Sequence, residues 1–278
     1  MSRVPAPQPA TAAIAAPVAF AYGPGTYRYA VTSEATIEQS PDGGQSAGRS
    51  ESRTTVAYVT YSVGGRRGPG TRLVSGSVDS FTVNPPPAGV AAAAGGGMIG
   101  GAPLIAAPLA FRGAIDPVRR RVDLRPAAAA PVAADCGSPN QAALALAREA
   151  FVVAPATLAT GQTWTDSSVS TICRGDVPLT TRATHVYRVA GVASYAGVEA
   201  LRLTRATTLA LSGQGAQRGL SFTVTGRGTG SADLYLDAAA GRFLGGTSES
   251  NVELEVAVPG SAPQRFRQRG RGEIAVGR

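Results

Sequence analysis

The chain has 278 residues, enough for one large domain or two half-sized ones. Its 44% hydrophobic content is much of it alanine, with only 6% aromatic, so any core must be lean. All 26 basic residues are arginine against 18 acidic ones, and with 35 Gly and 20 Pro this is the composition of a GC-biased genome, whose net charge of +8 permits an anionic partner without demanding one. One histidine and two cysteines outside any Cys-x-x-Cys unit exclude the usual zinc sites and leave any Ser-His or Cys-His chemistry resting on His185 alone.

Residues 1–21 form an Ala/Pro-rich arm. The run Thr11–Ala21 ends in the small-x-small sequence Ala19-Phe-Ala21 of a cleavable leader, yet four prolines disfavour a leader helix, so a retained arm and a remnant signal both stay open. No stretch reaches the roughly 18 to 20 apolar residues that cross a bilayer as a helix. A first β domain is expected over 22–127. Tyr27, Tyr29 and Val31 alternate with Arg28, Thr54–Val63 continues the pattern, and Thr71–Val83 holds one or two further strands. Residues 84–110, with Pro85-Pro-Pro87 and Ala92–Gly101, read as a Gly/Ala/Pro-rich insertion with too little side chain to order itself. Phe111–Leu124 resumes as short strands, and 128–137 is an Ala/Pro linker.

The second domain, 138–278, opens on a short helix from Pro139 to about Val152, with Ser138 as N-cap, Gln141 completing a capping box, and Leu144, Ala147 and Phe151 on its apolar stripe. Strands follow at Thr184–Ala190, Val198–Leu211, Leu220–Thr225, Gly228–Leu236, Arg242–Val258 and Arg265–Val276. The fold class is therefore mainly β: two tandem antiparallel β-sheet domains, half-barrel or sandwich-like, with one short helix. The halves rhyme in Asp116…Arg121-Val122 and Asp237…Arg242-Phe243, where an acidic turn residue precedes an Arg and a core residue.

Cys136 and Cys173 can form a disulfide, implying an oxidising compartment, or stay free thiols. Gly226-Arg-Gly-Thr-Gly230 lacks the helix that a phosphate-binding loop needs, and Glu253 and Glu255 share a solvated strand face rather than forming an acid/base pair. No catalytic, cofactor or metal residue is assigned. Arg265, Arg267, Arg269 and Arg271 recur every second residue, and Arg119, Arg120 and Arg121 make a second cluster. These are either charge protecting an edge strand or contacts for an acidic partner or anionic lipid headgroups; the absence of interleaved aromatics disfavours nucleic acid. Trp164 either packs under the helix or anchors a partner.

Gly25-Thr-Tyr-Arg-Tyr29, Gly113-x-x-Asp116 with Arg121-Val122, Gly161-Gln-Thr-Trp164, Tyr187-Arg-Val189, Gly228-x-Gly230 and Asp237-x-x-x-Gly241-Arg242 together resemble bacterial envelope proteins, often lipoproteins, with tandem LolA/LppX-like half-barrels. That resemblance implies a lipid or lipoprotein carrier. This chain departs from it in having one clear helix, small side chains, no long Leu/Ile/Phe lining and no cysteine near its start. The functional expectation is a non-catalytic structural or accessory interaction protein of the bacterial envelope, at the periplasm or exterior envelope surface. It would be peripheral to the membrane, for example as a subunit stabilising a respiratory or photosynthetic membrane complex. The alternative is a periplasmic carrier of lipid or another apolar ligand.

Overall fold

The computed structural model describes residues 11–40, 50–66, 71–84, 102–103, 108–118, 120–128, 139–174, 177–217 and 220–277. Its strands are β1 (Val18–Ala19), β2 (Gly25–Gln39), β3 (Ser50–Arg66), β4 (Arg72–Asn84), β5 (Ala102–Pro103), β6 (Leu109–Asp116) and β7 (Arg121–Pro126), followed by the helix α1 (Pro139–Arg148). After the helix come β8 (Thr157–Leu158), β9 (Thr163–Arg174), β10 (Val177–Tyr195), β11 (Val198–Gln217), β12 (Leu220–Asp237), β13 (Arg242–Ala257) and β14 (Gln264–Val276). Among the described residues no helix is long and apolar enough to cross a membrane.

Twelve strands form one antiparallel sheet in the order β7-β6-β4-β3-β2-β14-β13-β12-β11-β10-β9, with β5 paired to β4 off that path. The sheet curls into a nearly closed barrel. Its two free edges, β7 and β9, come from the middle of the chain, and α1 touches both of them. In β3 and along most of β12 the apolar side faces inward. In β3, Ala57, Val59, Tyr61 and Val63 are buried while Tyr58 on the other face is 42% exposed. In β12, Val224, Ala232, Leu234 and Leu236 are buried on the inner parity, whereas Thr225, Arg227, Thr229 and Ser231 are exposed.

Two separate β domains are not what the ladders make. Strand β14 pairs with β2 from Tyr29↔Val276 to Gln39↔Phe266, so the first and last long strands zip the halves into one sheet. The core crosses that seam. Tyr29 stacks on Tyr61 at 5.3 Å and on Phe243 at 5.9 Å, and its hydroxyl donates to the Phe243 carbonyl at 2.6 Å. Phe151, just past α1, packs on Tyr61 at 4.3 Å.

The arm contributes to the same core. Phe20 and Tyr22 are buried, β1 pairs with β8 in a small second sheet, and the Tyr22 hydroxyl both donates to the Val152 carbonyl and accepts from its N–H. Residues 11–21 are thus built into the fold rather than standing apart from it. The expected linker 128–137 lies almost wholly outside the described residues. So does most of the 84–110 insertion, apart from β5 against β4 and the start of β6.

Several strands are longer than their local sequence suggests. The expected break between Thr225 and Gly228 is absent: β12 runs through Gly226, Gly228 and Gly230 with an unbroken register to both neighbours. These glycines fall on the inner face, where a Cβ would lie 2.9 Å from the Glu253 carbonyl, 2.7 Å from that of Asn251 and 2.9 Å from that of Glu249, respectively. A glycine every second residue here lets the backbone of β13 come close and the sheet bend, without ending the strand. At the β12–β13 turn, Asp237 accepts from the Ala240 N–H at 2.9 Å and from Arg242 Nε at 3.1 Å, which is the turn chemistry expected of it.

Candidate functional site

The most unusual physical feature is a cluster of charged and polar groups inside the barrel, where the C-terminal end of α1 meets β9, β10 and β11. Register places Trp164, Tyr187 and Arg205 on one inward rung and Asp166, His185 and Thr207 on the next. Arg148, the last residue of α1, donates from Nη2 to Asp166 Oδ2 at 3.1 Å, and Arg205 donates from Nη1 to Glu149 Oε2 at 2.9 Å. Asp166 and His185 are 6% and 5% exposed. The helix end is thus tied to the barrel wall by two ion pairs drawn from different strands.

His185 sits between hydroxyls. Its Nδ1 lies 3.0 Å from Thr207 Oγ1 and its Nε2 lies 3.4 Å from Ser168 Oγ. Burial lowers its pKa and the nearby Arg205 guanidinium lowers it further, both favouring the neutral ring. Burial alone would raise the pKa of Glu149, but Arg205 outweighs it and holds this carboxyl below its ordinary value. Burial likewise works against the charge on Arg205, and Glu149 and Tyr187 overcome it. Arg205 Nε has no hydrogen-bond partner, the one such buried side-chain atom among the described residues.

A Ser-His pair invites comparison with a nucleophilic triad, and the geometry departs from one at the third position. The group on Nδ1 is a threonine hydroxyl, which gives an imidazolium little stabilisation, while the neighbouring carboxylate of Asp166 is engaged by Arg148. Among the described residues, no group of three or more His, Cys, Asp and Glu side chains could hold a metal ion.

The network has a pH signature. Both His185 and Glu149 have folded-state pKa values below their ordinary ones, so the unfolded chain binds more protons and stability falls as pH falls. The histidine contribution is complete above its ordinary value of 6.5 and is lost below it; the Glu149 contribution follows below 4.5. Melting temperature should therefore drop between pH 7 and 5, and His185→Gln, which keeps a neutral polar side chain, should flatten that part of the profile. A wild-type melting temperature unchanged over this interval would contradict the assignment.

The arginines picked out in the sequence are placed differently from expectation. Strand β14 is not an edge strand. It lies between β13 and β2, and its outward row of Arg265, Arg267, Arg269 and Arg271 runs between two rows of carboxylates. Arg265 pairs with Glu255 at 3.2 Å, Arg267 with Glu253 at 3.3 Å and Arg271 with Glu249 at 3.1 Å. On the β2 side Arg267 and Arg271 stand opposite Glu38 and Glu34 in register. The row is neutralised within the sheet, so neither edge protection nor a bare cationic surface describes it.

At the β6–β7 hairpin Arg121 pairs with Asp123 at 2.6 Å, Arg120 occupies the turn with φ 52°, and Arg119 lies outside the described residues. Trp164 is 4% exposed, stacks on Tyr187 at 5.1 Å and donates to the Val153 carbonyl at 2.9 Å; it packs inside, beside the segment that follows α1, and presents no surface to a partner. Cys136 and the side chain of Cys173 lie outside the described residues, as do Ser138 and the side chain of Gln141.

Sequence reasoning missed Arg148, Glu149, Asp166 and Arg205. A signal for one of them was present: Arg205 interrupts the apolar parity Leu201, Leu203, Leu209, Leu211 of β11, and a charge on a core-facing parity needs a partner inside.

Neither a family model nor a curated protein sequence matches the chain. Among solved structures it is similar to OccAB4 of Acinetobacter baumannii, at 8% identity over 91% of this chain and 98% of that one, with a TM-score of 0.21, a likeness too slight to argue from. The resemblance to LolA/LppX-type half-barrels gains no support from these comparisons. The coarser feature, a curved antiparallel sheet that nearly closes, is what stands.

Proposed function

We propose that this protein is a non-catalytic interaction protein of the bacterial envelope, peripheral to the membrane, that works from the outside of its barrel. The observation that supports this reading is how the inside is filled. At the base, the chain's own Phe20, Tyr22, Phe151 and α1 occupy the volume that a carrier would offer to a ligand. Above them Arg148, Glu149, Asp166 and Arg205 pair with one another, with His185 sealed among hydroxyls. Asp166 and His185, the innermost of these groups, are 6% and 5% exposed. On the outer face carboxylates and guanidiniums form ladders beside exposed Tyr58, Val169 and Val186, a mixed surface suited to contact with another protein.

A second reading, a carrier of lipid or another apolar ligand, draws on one feature. At the far end of the strands Leu209, Leu211, Phe222, Val256 and Phe266 are only partly buried on the inner face, around Leu179, Val224, Val252 and Leu254. Gentle purification of the tagged protein from its source envelope, followed by native mass spectrometry, separates the two. The interaction reading expects a stoichiometric envelope protein to co-elute and no lipid to remain bound. A solitary chain carrying lipid would replace it with the carrier.

A further inference from the structure

We infer that the outer face of β3, β4, β6 and β7 carries an oxyanion-binding site for a phosphate group, built on Arg112 and Arg125. The registers of three successive ladders set Ser62 opposite Ser75, Ser75 opposite Arg112, and Arg112 opposite Arg125, so that four side chains form one transverse row on the outward face. All four line a hollow of about 800 Å³. The two guanidiniums are cross-strand neighbours of like charge, an arrangement that destabilises a bare sheet.

Among the described residues neither Arg112 nor Arg125 forms an ion pair; the one carboxylate lining the hollow, that of Asp123, is held by Arg121, which also lines it, at 2.6 Å. The contrast with β14 is within the same molecule: there three of the four row arginines have a glutamate at 3.1 to 3.3 Å, here both lack one. A tetrahedral oxyanion supplies what is missing. It accepts from two guanidinium forks at once, cancels their repulsion, and leaves oxygens for the hydroxyl of Ser75. Ser62 is already engaged with Thr26 at 2.8 Å and closes the row on that side. The site does not rest on the protein's having a partner in a larger assembly, since it is a property of the isolated chain.

Two sources share this chemistry, a free phosphate and the phosphate of an anionic lipid headgroup, and the test has an arm for each. The intact protein is titrated with inorganic phosphate at constant chloride while the arginine Nε–Hε resonances are followed. In parallel it is sedimented with phosphatidylglycerol-containing vesicles and with pure phosphatidylcholine vesicles. Both arms are repeated with R112Q/R125Q and with R265Q/R267Q, and circular dichroism checks that each variant is folded; both pairs are at exposed positions.

Saturable shifts of two arginine resonances, reduced at least tenfold in affinity in R112Q/R125Q and retained in R265Q/R267Q, establish the site. Vesicle binding with the same variant pattern and a strong salt dependence assigns the phosphate to a headgroup; its absence assigns it to a free solute. Binding in neither arm, or equal loss in both variants, overturns the proposal.

Discussion

Replacing Arg148 by alanine should lower the unfolding free energy by about 2–4 kcal/mol, because it leaves the carboxylate of Asp166 charged and unpaired inside the barrel. That carboxylate is 4% exposed and its partner only 21%, so water replaces the lost guanidinium poorly. The decisive comparison is the double variant. R148A/D166N removes the orphaned charge as well as the pair, and it should recover more than half of the loss in urea denaturation. If the double variant is less stable than R148A alone, the cost lies in packing at the helix end rather than in a stranded charge. The same argument applied to the Arg205–Glu149 pair gives a smaller effect, since Glu149 is 37% exposed and partly solvated without its partner.

Phe243→Ala should cost about 3–5 kcal/mol, the range for removing a fully buried aromatic ring. The more informative result is where the loss appears. Phe243 belongs to the last third of the chain, yet its ring and its carbonyl both engage Tyr29, 214 residues away. In a protein with one shared core the variant lowers a single melting transition. With two independent domains, a transition belonging to the first half would stay where it was. Val118→Ala, at a side chain 76% exposed in the β6–β7 turn, is the control that should change nothing.

Much of the strand content was legible because the parity signal is local. Tyr27, Tyr29 and Val31, or Val252, Leu254 and Val256, announce their faces within a few residues. Strand β9 escaped notice for the converse reason. Its inward Trp164, Asp166, Ser168 and Ser170 and outward Thr165, Ser167, Val169 and Thr171 differ little in polarity, so no alternation stands out. The three glycines of β12 look like turn residues until their common parity is recognised.

Partner choice among strands is not a local property at all. Nothing near Arg265–Val276 says that its second neighbour is Gly25–Gln39, and a strand at the end of a chain is easily taken for an edge. That single pairing makes β14 an interior strand and joins the two halves in one sheet, while the ion pairs of its arginine row come from the glutamates of β13. Arg112 and Arg125 become visible only in comparison with that row, because their distinction is that, among the described residues, neither has the glutamate partner that most of the β14 row has. The inner network required the same step: Arg205 was readable as misplaced, but Glu149 and Arg148 reach their partners only after α1 is laid across the gap between β7 and β9.

Amide hydrogen exchange along β14 tests the continuous sheet most directly. A strand with neighbours on both sides bonds every N–H, so consecutive amides from Phe266 to Ala275 should all be slow to exchange, on a par with those of β12. If β14 were an edge, every second amide would point to solvent and exchange fast, and a fast-slow alternation along Phe266–Ala275 would contradict the account.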